Sequence, residues 1–163
     1  QCPHCLPTLK NDYAEIGTDL EVVHHSEFIS DLIKDGKIEP EASLEEDVTF
    51  HDACYVGRHH GEYDAPRDVL QSVLSEKATI KEMPRNKQDS FCCGAGGGNM
   101  WYEIKQGKRI NVERFEEAIE TGVKKVATSC NFCMIMMEDG RKVTGQDENM
   151  EVYDIAELVA ERI

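Results

Sequence analysis

Ser90 to Trp101 reads SFCCGAGGGNMW, with Cys92 and Cys93 side by side and four glycines in the next five residues. Adjacent cysteines rarely bond to each other, because the small ring strains the peptide between them. A buried structural pair needs no glycine run. The composition implies that something approaches the backbone here, and that both thiols face it.

Outward from this stretch, the remaining cysteines fall at positions 2, 5, 54, 130 and 133, which makes seven. An odd count with two C-x-x-C pairs fits reduced, metal-ligating thiols better than a disulfide framework. No secretory signal is visible, so the expected location is cytoplasmic. The chain does not begin with Met, and Gln1 reads as a cut or processed end. At 163 residues and 40% hydrophobic, the chain has the size and composition of one globular domain with a real core. No run approaches the roughly 18 apolar residues of a membrane helix. The formal net charge of -14 argues against nucleic acid and anionic membrane surfaces as partners, and reads first as solubility.

The pattern along the chain alternates. Strands are expected at 21–25, 47–51, 79–83, 123–129 and 151–154, all numbered in this sequence. Between them fall helices at 26–34 (capped by Ser26), from Asp64 with Pro66 in its first turn, at 109–120 ahead of Gly122, at 131–138 and at 155–163. Alternation of this kind implies an α/β domain with a mostly parallel sheet flanked by helices. The cysteine groups follow the ends of expected strands, the edge where open parallel sheets bind ligands.

An internal repeat accompanies this pattern. Cys2-Pro-His-Cys5 and Cys130-Asn-Phe-Cys133 are both C-x-x-C, and each precedes a related segment, EVVHHSEFISDLI (21–33) and EVYDIAELVAERI (151–163). Residues 1–36 therefore read as the tail of an upstream copy, packed on one complete copy at 47–163.

That complete copy holds Cys54, Cys92, Cys93, Cys130 and Cys133. A C-x-x-C turn lets two sulfurs face one metal. A tetrahedral zinc would leave one of five thiols idle, whereas five thiolates with one adjacent pair suit a larger or distorted iron–sulfur assembly. Close approach of cluster sulfides to backbone amides is what Gly94, Gly96, Gly97 and Gly98 permit. Gly94-x-Gly96 also opens like a dinucleotide fingerprint, but the third glycine position is Asn99 and no acidic residue ends a suitable strand. Nucleotide binding is set aside.

At this spacing, HDACYVGRHHGEYDAPRDVL, FCCGAGGGNMW, GKRIN and SCNFC, with CPHCLPTLKNDY before them, resemble the cysteine-rich CCG motif of the heterodisulfide reductase catalytic-subunit family. That family includes iron–sulfur subunits of glycolate, lactate and glycerol-3-phosphate oxidation, and membrane-linked proteins passing electrons between electron-transfer flavoprotein and quinone. The present chain is most similar to this last group. The resemblance implies a non-cubane [4Fe-4S] cluster on Cys54, Cys92, Cys93, Cys130 and Cys133, beside Gly94, although some family copies hold zinc. It makes Cys2 and Cys5 the closing pair of a first motif. It implies an electron-transfer module of a larger oxidoreductase, inactive as an isolated piece. The partners it implies are upstream ferredoxin-type and first CCG domains of the same protein, with electron-transfer flavoprotein or a quinone-side membrane subunit beyond, at the inner face of the membrane. A disulfide-reducing catalytic domain and a zinc-stabilised structural domain are the alternatives.

Among other residues, His51, Asp52, His59 and His60 read as supporting, capping or surface groups, with proton handling as the sharper alternative. Arg58 and Arg85 are expected either in surface ion pairs or offsetting thiolate charge. Trp101 reads as core, and Met134, Met136 and Met137 as packing.

Overall fold

The computed structural model describes residues 1–102 and 106–163. Three parallel strands lie side by side in sequence order, β1 (Val48–His51), β2 (Lys125–Thr128) and β3 (Glu151–Asp154). Phe50 aligns with Ala127 and Ala127 with Tyr153; one step on, His51 aligns with Thr128 and Thr128 with Asp154. All four residues of β1 are buried, as expected of a parallel strand covered on both faces.

The helices are α1 (Cys5–Pro7), α2 (Tyr13–Glu15), α3 (His25–Lys34), α4 (Cys54–Gly57), α5 (Asp64–Val73), α6 (Ile110–Glu120), α7 (Asn131–Val143) and α8 (Ile155–Ala160). On one side of the sheet, Val48, Phe50 and Ala127 pack against Val69, Leu70 and Val73 of α5 and Leu158 of α8, with Ile29 and Ile33 of α3 outside them. On the other side, Val126 and Val152 meet Phe115 and Ala118 of α6 and Met137 of α7. Each fully buried Leu or Phe in these layers contributes about 1.5–3 kcal/mol. The α6–α7 contact depends on Gly140, because a Cβ there would lie 2.8 Å from the Phe115 Cβ and 2.9 Å from the Asn111 carbonyl oxygen.

The α/β architecture stands, with fewer strands than the alternation implies. The strand expected at 21–25 does not form: residues 21–24 pair with no neighbouring chain among the described residues, and His25 already opens α3. Residues 79–83 reduce to one bridge between Val48 and Ile80, closed by Val48 N–H to the Thr79 carbonyl (3.1 Å) and Lys81 N–H to the Val48 carbonyl (2.7 Å).

Two caps also differ. Helix α3 is capped by His24 rather than Ser26: the His24 Nδ1 accepts from Ser26 N–H at 3.4 Å, and Glu27 accepts from His24 N–H at 3.2 Å. The same reciprocal box recurs at α8 with Asp154 and Glu157 (2.9 and 2.8 Å), and His25 Nε2 lies 3.1 Å from the Asp154 carboxylate. At α5 the Glu62 carboxylate, not Asp64, accepts the first amides, those of Asp64 and Ala65. Helix α7 runs past 138 to Val143, α6 starts one residue later than expected, and α8 ends at Ala160.

Candidate metal centre

The C-terminal edge of the sheet brings the cysteines together. After β1 the chain turns through Asp52 and Ala53, which puts Cys54 at the first position of α4. After β2 the chain bends at Ser129, and Cys130, extended, becomes the N-cap of α7, its sulfur accepting from Cys133 N–H at 3.5 Å. Cys92 and Cys93 arrive on the loop between α5 and α6.

That loop is tied to the end of β1. Asp52 accepts from both terminal nitrogens of Arg67 (2.8 and 2.9 Å) and from Lys87 N–H (2.8 Å), while its carbonyl accepts from the Ser90 hydroxyl (3.1 Å). Arg67 is held in turn by Glu82 at 2.7 and 2.9 Å. Arg58 donates to the Ser90 carbonyl and, at 3.3 Å, to the Gln88 carbonyl. It binds backbone, where the sequence suggests a surface ion pair or a thiolate counter-charge. Arg85 does form ion pairs, with Glu113 (3.0 Å) and Glu117, and its guanidinium lies 3.6 Å from the Phe91 ring centre.

One small cavity is lined by five cysteines, Cys54, Cys92, Cys93, Cys130 and Cys133. Every cysteine is a free thiol. The five thiols influence one another's ionisation pairwise, in the order 54–92–93–133–130. Donation from Cys54 and Cys93, aided by the Gly94 amide (3.2 Å), holds the Cys92 thiol far below its ordinary value. The Cys133 thiol lowers Cys130 in the same way. Its hydrogen bond with Cys92, together with burial, pushes Cys54 up. Cys93, although its bond with Cys133 lowers it, is pushed up to about 12 by Cys92 and by burial. Bonds to Cys130 and Cys93 raise Cys133.

The glycine turn lies against this cavity. Gly94, Gly97 and Gly98 adopt left-handed φ values of 91°, 66° and 76°. Ala53, Val56, Ala95 and Met136, with Met100 and Phe132 at the margin, form an apolar jacket. His4 closes the mouth, its ring 4.2 Å from that of Tyr55 and 5.2 Å from that of Phe132.

Cys2 and Cys5 do not join the five. They line an adjacent open groove with Gly97, Gly98, Met100 and Trp101. Trp101 is 78% exposed there, at the end of a 3-10 turn that carries it outward, and is not core. Met136 and Met137 are buried packing residues and Met134 is half-buried. His59 stacks on Tyr55 at 4.3 Å, and His60 pairs with Glu27 at 3.1 Å.

His51 is closer to the thiols than its sequence context suggests. One of its ring nitrogens and the sulfurs of Cys93 and Cys133 lie within 4.8 Å of one another. Its Nδ1 accepts from Arg114 Nε at 2.9 Å. Burial, then the Arg114 charge, pushes the ring down to about 3, so it is neutral. Arg114 is fully buried, braced by Glu117 and by the Arg85 carbonyl (2.8 Å). Sequence reasoning missed Arg114. Its only signal is an arginine beside the Val112–Phe115–Ala118 apolar stripe, three residues before Glu117.

A cysteine-rich domain (CCG) family model matches residues 48–138. Over 161 residues the chain is 39% identical to the probable iron-sulfur-binding oxidoreductase FadF of Bacillus subtilis, covering 99% of this chain and 23% of that protein. It is 39% identical over 165 residues to the EtfAB:quinone oxidoreductase of Syntrophomonas wolfei, covering 97% of this chain and 23% of that one. A component of the dihydromethanophenazine:CoB–CoM heterodisulfide reductase of Methanosarcina mazei is 39% identical over 170 residues, 99% of this chain and 39% of that component. The chain thus spans under half the length of each of these relatives. With its five convergent thiols and the matched segment covering more than half its residues, the chain belongs to the cysteine-rich CCG domain family.

Proposed function

We propose that this chain is an iron–sulfur-binding electron-transfer segment of a larger oxidoreductase, with a non-cubane [4Fe-4S] cluster on Cys54, Cys92, Cys93, Cys130 and Cys133. The observation that carries the reading is the convergence of these five thiols, from three separate stretches of chain, on one apolar-walled cavity. The donor set fits the group: soft thiolates suit iron–sulfur clusters, and an adjacent cysteine pair gives neighbouring irons a ligand each. The Gly94 amide, already bonded to Cys92 Sγ, is a fixed donor for a charged sulfur. When bound, the cluster supplies reversible one-electron chemistry. The chain's own contribution is to hold the sulfurs, direct backbone N–H groups at them and exclude water with Val56, Met136 and Phe132.

Residues 1–36 fit the tail of an upstream CCG copy, with residues 47–163 as the complete one. The matched capping boxes at His24–Glu27 and Asp154–Glu157 support this, as does the segment before α3, which pairs with no strand among the described residues. Cys2 and Cys5, standing apart from the five, then belong to the upstream copy's centre. Through the longer protein, the electron route runs from upstream ferredoxin-type domains, or from electron-transfer flavoprotein, toward a quinone-side partner at the cytoplasmic face of a membrane. The name of the EtfAB:quinone oxidoreductase relative supports this route, and that of FadF supports iron–sulfur binding. Among the described residues no helix is long and apolar enough to cross a membrane.

The test is iron, zinc and acid-labile sulfide content of protein purified without oxygen, with its visible spectrum. About four irons with matching sulfide per chain is the expected result for one [4Fe-4S] centre. One zinc without sulfide would replace the reading with a structural domain.

A further inference from the structure

His51 is the one ring nitrogen donor that the described residues place within 4.8 Å of two of the thiols, and it is buried against them. Proximity alone would make it a metal ligand. Its hydrogen bond with Arg114 argues otherwise. A ligating histidine donates its second N–H to an acceptor, leaving the other nitrogen's lone pair for the metal. Here the partner of Nδ1 is Arg114 Nε, which carries a proton it does not give up and can only donate. His51 Nδ1 must therefore accept, and the ring's single proton sits on Nε2. With Nδ1 taken, the nitrogen left for the sulfurs is an N–H.

Resting on the cluster reading above, we propose that His51 is a fixed hydrogen-bond donor to the sulfurs of Cys93 and Cys133, oriented by Arg114, and that it sets the reduction potential of the centre. Arg114 is itself immobilised by Glu117 and the Arg85 carbonyl, so the tautomer is locked from the protein side. The reduced centre is the more negative one, and a donor to its sulfurs stabilises it more than the oxidised form. His51 is thus a positioning residue that raises the potential.

The test is an EPR-monitored redox titration of the cluster-loaded chain and its His51→Leu and His51→Gln variants, with iron and sulfide counted in each. His51→Leu is expected to disfavour reduction by about tenfold, which is about 59 mV toward negative potential for one electron. His51→Gln keeps an N–H at similar reach and is expected to return to within about twofold of wild type. An unchanged potential in His51→Leu overturns the proposal. So does loss of iron from both variants, which would make His51 a ligand. If His51→Leu alone loses the cluster, pulsed EPR of the wild type labelled with ¹⁵N-histidine decides, with His51→Gln as its blank. A weakly coupled nitrogen with an exchangeable proton, absent from the blank, supports the donor; a directly bound nitrogen, or none, overturns it. A wild type that holds no cluster would instead remove the reading on which this inference rests, and the inference with it.

Discussion

The glycine run ranks four alanine substitutions by mechanism. Gly96 lies outside the left-handed region, and a Cβ there meets nothing within 4 Å. Gly96→Ala should be neutral or stabilising by about 0.4–1 kcal/mol, through the unfolded chain's lost freedom. Gly97 and Gly98 have the same open space but left-handed backbones, at φ 66° and 76°. Alanine there meets strain of about 1–2 kcal/mol, so each should destabilise by about 1 kcal/mol net. Gly94 carries both penalties: φ is 91°, and its Cβ would sit 3.2 Å from Asn111 N and from Ile110 Cβ. Overpacking adds about 1–3 kcal/mol, giving about 2–4 kcal/mol in all. The damage should also spread, because Asn111 donates to the Met136 carbonyl (3.1 Å) and the Asp139 carboxylate (2.7 Å) of the helix that carries Cys133. Urea unfolding of the four variants, with metal counted in each, reads this order directly. Only Gly94→Ala should lose metal. A flat series, or Gly96→Ala as the costliest, would refute the assignment of separate roles to these glycines.

Cys93→Ser should abolish cluster loading while Cys2→Ser leaves it intact, read as iron and sulfide per chain; the reverse would mean that the five-thiol set is not self-contained. Gly140→Ala should destabilise by about 1–2 kcal/mol in thermal or urea unfolding, since the overlap with Phe115 and Asn111 outweighs the helix preference of alanine. Acid should unfold the chain through His51 and His24, both pushed down to about 3, chiefly by burial. A lowered histidine value means that the unfolded chain takes up the proton first as pH falls. Stability is therefore full above about pH 6.5 and falls toward about pH 3, by up to about 1.4 kcal/mol per pH unit for each ring. A urea midpoint that stays flat between pH 6.5 and 4 would contradict this.

The sequence spelled out the centre more clearly than the scaffold. Cysteine spacing needs no long-range information, because a C-x-x-C turn and an adjacent pair are local devices, and their positions after β1 and β2 follow from hydrophobic runs. The expected strands at 21–25 and 79–83 are overcounted for a physical reason: pattern reports which face is buried, not whether a neighbour exists to complete a ladder. The His24 and Glu62 caps escaped because a side chain's partner depends on where the chain enters the helix. Arg114 escaped because a charged residue beside an apolar stripe reads as surface until its partner, His51, is seen 63 positions away in the chain.

The path of the five thiols, 54–92–93–133–130, crosses the chain out of sequence order, and this bears on how the molecule comes apart. A centre bound there ties positions 54 and 133 together, closing a loop of about 80 residues, and such a cross-link removes about 4.5 kcal/mol of chain entropy from the unfolded state. Metal release would then be a release of topology as much as of bonds. The ends of β1 and β2 and the CC loop should lose hydrogen-exchange protection in one step rather than one after another.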